Sequence, residues 1–143
     1  MTDITAAPGQ STRLLLQQAL DQLNRNENDI AEATLLRILA NEPEEPDALQ
    51  LLGLLRKGQG QLDEAAALLR RSLARRPMQP HVQNNLGSIL YAQRRLDDAV
   101  TAFRAATKLK PNYAEAHHNL ALALQAVANY ADAEKSARAA LRY

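Results

Sequence analysis

Cysteine and tryptophan are absent from the 143 residues, and phenylalanine occurs once. Without a thiol the chain can build no disulfide, no thiolate nucleophile and no cysteine-ligated metal site, and its redox compartment stays open. Aromatic residues make up only 3% while hydrophobic residues reach 46%, so Leu and Ala carry the apolar content. That composition, poor in β-branched residues, suits closely packed helices and not sheets. Gly and Pro number 5 and 6, too few for a loop-rich or disordered chain. An excess of one charge is missing too: 17 basic against 16 acidic side chains leave +1. This speaks against nucleic acid as a partner, because that affinity comes largely from neutralising phosphates. No apolar run approaches the roughly 20 residues of a membrane span. Residues 1–11 are polar and carry Asp3 where a signal peptide would be basic. These absences predict one cytoplasmic helical domain, with no membrane contact, behind a flexible leader at 1–11 that contains Pro8-Gly9.

What is present is a period. Pro43, Pro77 and Pro111 stand 34 residues apart. In the same register Leu52-Gly53 falls on Leu86-Gly87 and Leu120-Ala121, Ala65 on Ala99 and Ala133, and Leu69 on Phe103 and Ala137. Leu62-Asp63-Glu64-Ala65 returns as Leu96-Asp97-Asp98-Ala99 and as Tyr130-Ala131-Asp132-Ala133. Self-similarity at such a period marks a repeat array. Within one unit, Leu86, Ile89 and Leu90 share a helix face, as do Ala99, Ala102, Phe103 and Ala106 on the next helix. Gly87 lies where the two helices come closest. Asp97 and Asp98 sit at the positive dipole end of the second helix, and Lys108 and Lys110 near its negative end. Pro111 then stops it.

The Leu-Gly pair, the small or aromatic positions of the second helix and the closing Pro resemble the tetratricopeptide repeat. The resemblance implies an all-α fold, a right-handed α-solenoid of antiparallel helix pairs. Two units, 46–79 and 80–113, match well, and 114–143 matches up to the point where its Pro would fall. The unit 12–45 is degenerate: Gln18-Ala19 replaces Leu-Gly and Asn28 replaces the Leu that opens the second helix. Although Pro43 and Ala31 keep the register, Ile30-Ala31-Glu32-Ala33 matches Leu62-Asp63-Glu64-Ala65 only after a two-residue slip. A terminal unit of this kind reads as a cap. About eight helices are expected, near 12–25, 28–41, 46–58, 62–76, 80–93, 96–109, 114–127 and 130–142.

In this family the first helix of each pair lines a concave groove that holds an extended peptide or a helix. Placing the core face and taking the opposite one gives His81, Asn84, Asn85, Ser88 and Tyr91 for the unit 80–113. It gives Glu115, His118, Asn119, Leu122 and Gln125 for 114–143, and Asp47, Gln50, Leu51, Leu54 and Lys57 for 46–79. Arg13, Leu16, Gln17, Leu20 and Leu23 follow for 12–45, so the groove is more apolar at that end. Asn85 and Asn119 are equivalent, and a side-chain amide can pair with a peptide backbone whatever residue it carries. The pair is similar to the asparagine ladder of O-linked N-acetylglucosamine transferase-type arms, whose wording Asn84-Asn85-Leu86-Gly87 also follows. The ladder breaks at Leu51 and Gln17. A carboxylate clamp of the co-chaperone kind needs cations where this chain has Leu16, Asn85, Glu115 and Asn119.

Nothing in the sequence asks for a cofactor or catalytic machinery. His117 and His118 are adjacent and point to different sides of a helix, and His81 with His118 lacks a third metal ligand. Gly58-Gln59-Gly60 is a helix–helix turn that follows no strand. Arg70, Arg71, Arg75 and Arg76 form the densest basic cluster, expected on the solvated convex side. The expected function is a non-catalytic interaction scaffold holding a protein or peptide in its groove. One alternative is the substrate-recruiting arm of a larger glycosyltransferase, sulfotransferase or hydroxylase. Another is a self-assembling adaptor, a homo-oligomer joined through an uncapped end around Leu141.

Overall fold

The computed structural model describes residues 8–143, with side chains from Ser11 onward. Eight helices follow one another: α1 (Pro8–Asn24), α2 (Asn28–Asn41), α3 (Pro46–Gly58), α4 (Leu62–Arg75), α5 (Pro80–Ala92), α6 (Leu96–Leu109), α7 (Ala114–Ala126) and α8 (Tyr130–Arg142). They pair as hairpins α1–α2, α3–α4, α5–α6 and α7–α8, and each second helix packs on the first helix of the next pair. Helix α3 also touches α5, and α5 touches α7, with no comparable contact between second helices. The first helices therefore form the inner, concave layer of a right-handed α-solenoid. Among the described residues no helix is long and apolar enough to cross a membrane.

Two expectations about the N-terminal end need correction. Helix α1 begins at Pro8 and not at residue 12, so the leader expected over 1–11 is helical from there on, and residues 1–7 lie outside the described residues. Proline is suited to a first helical turn, where its missing amide costs nothing and its fixed φ is already helical. The slipped likeness of Ile30-Ala31-Glu32-Ala33 to Leu62-Asp63-Glu64-Ala65 is not a structural match, and the first unit keeps the register of Pro43 and Ala31. Helices α2, α4 and α6 start 34 residues apart, at Asn28, Leu62 and Leu96, and Ala31, Ala65, Ala99 and Ala133 are all buried in one column.

That register is held by paired sizes. The first helix offers Ala19, Gly53, Gly87 and Ala121 in turn, and the second answers with Leu35, Leu69, Phe103 and Ala137. The smallest residue faces the largest: a Cβ added at Gly87 would stand 2.6 Å from Cδ1 and Cε1 of Phe103. Each first helix ends in the same way. Asn26, Gly60, Arg94 and Ala128 have φ of 59°, 76°, 62° and 62°. The amide after each donates back across the turn, as from Gln61 to the Arg56 carbonyl at 2.9 Å and from Arg95 to that of Leu90 at 2.9 Å. This is a left-handed C-terminal cap, and only Gly60 adopts it without strain.

The core divides in two. One cluster joins Ala19, Leu35, Ile38, Leu49, Leu52 and Leu68, and a larger one runs from Ala65 and Leu69 through Leu86, Ile89 and Phe103 to Leu124. Polar side chains hold the N-terminal half where the other half is apolar. Leu90 and Leu124 occupy a column that holds Gln22 and Arg56 in the first two units. Buried Gln22 accepts from Thr34 at 2.8 Å, and Arg56 pairs with Glu32 at 2.5 Å and Glu64 at 3.1 Å.

Candidate functional site

Helices α5 and α7 lie side by side in the inner layer, and Gly87 faces Phe103 of α6, which leaves the opposite face of α5 to line the groove. Ser88, Tyr91, Asn119 and Leu122, all expected to line it, meet around a notch of about 100 Å³ floored by the Phe103 ring. Asn85, Tyr91 and Asn119 are partly exposed, and His81, Glu115, His118, Leu122 and Gln125 are exposed. In the N-terminal half Gln50 and Leu54 are partly exposed, and Leu54 joins Leu23, Leu51 and Leu55 in a separate apolar hollow of about 280 Å³ between α1 and α3. The expected groove residues thus fall into two places and not one continuous strip.

Asn84 is a correction. It was expected in the groove, and it is instead buried, at 1% exposure. Its amide nitrogen donates to Glu115 Oε1 at 3.1 Å and, more weakly, to the Tyr113 hydroxyl at 3.4 Å. Its Oδ1 accepts from Asn119 Nδ2 at 3.0 Å. A carboxylate only accepts, so the chain of bonds has one direction: Asn119 to Asn84 to Glu115. Burial pushes the Tyr113 hydroxyl above its usual pKa, the nearby Glu115 charge adds to this, and the Asn84 bond opposes it. The phenol therefore stays protonated and can accept from Asn84.

This relay decides what Asn119 can offer. With one Nδ2 proton given to Asn84, its carbonyl oxygen and its second N–H are left. Asn85, one turn from Ser88, makes no side-chain hydrogen bond with any described residue. Ser88 donates to the Asn84 carbonyl at 3.2 Å, so its proton is used locally. The equivalent Asn85 and Asn119 are thus chemically unlike. One is an unpaired amide, and the other an amide whose orientation is fixed by its bond to Asn84.

Three features escaped the sequence reading. Buried Gln79 donates to the Arg76 carbonyl at 2.8 Å, and Ser72 donates to the Pro46 carbonyl at 2.8 Å, sealing the joint between second and third hairpins. The polar Ser72 in a column otherwise filled by Ile38, Ala106 and Ala140 was the available signal. The third is what the arginine cluster, itself legible in the sequence, is bonded to. Arg71 bonds Glu44 and the Pro43 carbonyl, and Arg76 bonds Asp47 at 2.9 Å, so half of this cluster is stapled to the α2–α3 turn. The Arg71 hydrogen bond holds the Glu44 carboxyl below its usual pKa. Elsewhere, His117 bonds the Pro111 carbonyl at 2.8 Å and stacks on Tyr143 with centroids 6.0 Å apart. Among the described residues no group of three or more His, Cys, Asp or Glu is placed to hold a metal ion.

Comparison with known proteins places this geometry. A search of curated protein sequences returns no match. Among solved structures, a variant of the Thermobaculum terrenum O-GlcNAc transferase is 32% identical with a TM-score of 0.78, over 85% of this chain and 23% of that one. The chain thus spans about a quarter of the transferase's length. Pseudomonas aeruginosa PilF is 25% identical, with a TM-score of 0.84 over 94% of this chain and 62% of that one. MamA shares the fold at 19% identity, with a TM-score of 0.85 over 92% of this chain and 77% of that one. The sequence model of the tetratricopeptide repeat matches residues 16–56 and 51–114, well over half the chain. With its hairpins, its register and its repeated caps, the chain belongs to the tetratricopeptide-repeat family, an interaction scaffold whose repeats are similar to those of O-GlcNAc transferases.

Proposed function

We propose that this chain is a non-catalytic scaffold that holds an extended peptide segment of a protein partner across α5 and α7. The observation that carries the reading is the notch of Ser88, Tyr91, Phe103, Asn119 and Leu122, flanked by the unpartnered amide of Asn85 and the outward carbonyl of Asn119. A donor-and-acceptor pair beside an apolar recess suits a peptide, which brings both a backbone and side chains. His81, His118, Gln125 and Gln50 extend the polar surface on either side.

The test is capture of partners by the full chain, repeated with Asn85→Ala. That side chain makes no hydrogen bond among the described residues, so the variant keeps its fold and loses affinity for a groove ligand. Unchanged affinity would refute the reading. Asn119→Ala is a less clean probe, because it also strips a bond from buried Asn84.

A second reading is favoured by the 32% identity to the O-GlcNAc transferase over 85% of this chain: a recruiting arm that brings an acceptor to a catalytic domain. Reading the coding sequence past residue 143 tests it. An in-frame catalytic domain would support it, and a stop codon would remove it.

A further inference from the structure

We propose that the ligand of this groove is an extended peptide carrying an aliphatic residue, with a Lys or Arg within two residues of it. The proposal rests on the groove reading above and adds the chemistry of what is held.

The aliphatic preference follows from the notch. Its volume is about 100 Å³. A water molecule's share of liquid is about 30 Å³, and a cavity of about 150 Å³ takes a benzene ring. A Val, Leu or Ile side chain fits this space, and an indole does not. The floor is the buried Phe103 ring and the lip is Leu122, which is 42% exposed. Ser88 adds no free donor there, since its proton already goes to the Asn84 carbonyl. A polar side chain entering the notch would lose water and meet only the Tyr91 hydroxyl and the Asn119 amide at its edge, against the apolar surface of Phe103 and Leu122.

The basic preference comes from Glu115. Its carboxylate is exposed on the groove side of α7, and it takes a neutral amide from Asn84 but no cation. Among the described residues it forms no ion pair, although Glu32, Glu44, Glu64 and Glu134 each have an Arg. Glu115 precedes Asn119 by one helical turn, about 5–6 Å. An extended peptide advances about 3.4 Å per residue, so a cation reaching Glu115 sits no more than two residues from the side chain in the notch. The relay ties the two preferences together. The carboxylate that attracts the cation is the same group that turns the Asn119 carbonyl outward, toward a peptide N–H.

A positional-scanning library of acetylated, amidated decapeptides tests this on the full chain, read by fluorescence anisotropy. We expect one position to select Val, Leu or Ile and a neighbour within two residues to select Lys or Arg, each by about tenfold. Glu115→Gln should abolish the basic selection and leave the aliphatic one. Leu122→Ala should weaken the aliphatic selection, and Ser88→Phe, if it folds by circular dichroism, should remove it. A basic preference that survives Glu115→Gln, or a notch that selects aromatic or polar residues, overturns the proposal. Binding that is lost in Asn85→Ala but shows neither preference overturns this proposal and leaves the groove reading standing. Binding to no peptide overturns both.

Discussion

Gly87 gives the sharpest test of the packing argument. In Gly87→Ala the new Cβ would meet Phe103 Cδ1 and Cε1 at 2.6 Å and Cζ at 2.9 Å. Carbon atoms rest about 3.5–4.0 Å apart, so the ring must retreat by roughly 1 Å. Its room is limited, because Phe103 is only 2% exposed and lies inside the larger core cluster, with only the small notch beside Ser88 and Leu122 next to it. Overpacking of this kind costs about 1–3 kcal/mol, against a helix-propensity gain of about 1 kcal/mol for Ala over Gly. The net expectation is a loss of up to about 2 kcal/mol. The sign reverses once the ring is gone. Phe103→Ala alone should cost about 3–5 kcal/mol, yet in that background Gly87→Ala meets no ring. It reproduces the Ala121–Ala137 pairing of the last hairpin, and it should then stabilise by about 1 kcal/mol. The coupling is therefore about 1–3 kcal/mol. Urea unfolding followed by circular dichroism measures all four corners of this cycle. A Gly87→Ala midpoint at or above wild type, or an equal loss in both backgrounds, would refute the reasoning. Gly53 serves as a control. Its added Cβ would meet Leu69 Cδ2 at 2.9 Å, the far end of a flexible side chain, so Gly53→Ala should cost less than Gly87→Ala.

The remaining expectations concern the caps, the ionic column and the buried amide. Arg94→Gly and Ala128→Gly relieve left-handed strain and should each raise the thermal midpoint, by about 0.5–1 kcal/mol of stability, whereas Gly60→Ala should lower it by about 1 kcal/mol. Arg56→Leu strands Glu32 and should cost about 1–2 kcal/mol, while Arg56→Leu with Glu32→Ala, which copies the Leu90 and Ala66 found one period on, should recover most of it in urea titrations. The hydrogen bond from Arg56 holds the Glu32 carboxyl below its ordinary pKa of 4.5, so its stabilisation is full above that value and fades as pH falls through the depressed one. Glu45 opposes it: burial raises its carboxyl above 4.5, so its folded form loses stability as pH climbs through that interval. The difference in stability between wild type and Arg56→Leu should therefore shrink in acid, and a constant difference down to about pH 3 would contradict the assignment. Asn84→Ala leaves Asn119 without its acceptor and should lower stability by about 1–3 kcal/mol, measurable by the same titrations.

Much of the fold was legible because a stack repeats its physical problems. Every unit must bring two helices together, so one column is small and its opposite is large, and those residues recur at the period. Where the problem has several chemical solutions, the column is harder to read. The left-handed cap holds Asn26, Gly60, Arg94 and Ala128, and only Gly60 announces itself. Counting 34 residues from it would have found the others. The first unit misled for a related reason. Glu32 looks like a displaced copy of Glu64, but both are bound by the same Arg56 from different columns. Their likeness reflects a shared partner and not a shared position. Pro8 was taken for part of a leader, although its place in a first turn is as characteristic as its place after a last one.

The groove was less legible, because adjacent residues on a helix point about 100° apart and nothing in the pair Asn84-Asn85 says which faces inward. The repeat does not answer either. Asn84 shares its column with Gln50 and His118, yet those two are not buried. What differs is the unit that follows. Asn84 is met by Tyr113 and Glu115, whereas the matching places ahead of Gln50 hold Gln79 and His81, and no carboxylate waits there. A polar residue in an inner helix is drawn into the joint only when its neighbour one repeat on supplies acceptors. The same argument explains why the groove of this chain is chemically specific at α5–α7 and simply apolar at α1–α3. The relay from Asn119 through Asn84 to Glu115 needs three residues in two successive units, and only this pair of units supplies all three. Grafting Asn and Glu at Gln50 and His81 should therefore create a second relay, on Asn85. The peptide affinity of the double variant would then depend on Asn85 as a directed acceptor. If Gln50→Asn with His81→Glu changes neither stability nor peptide selection, the relay is a consequence of the local backbone and not of the residues named.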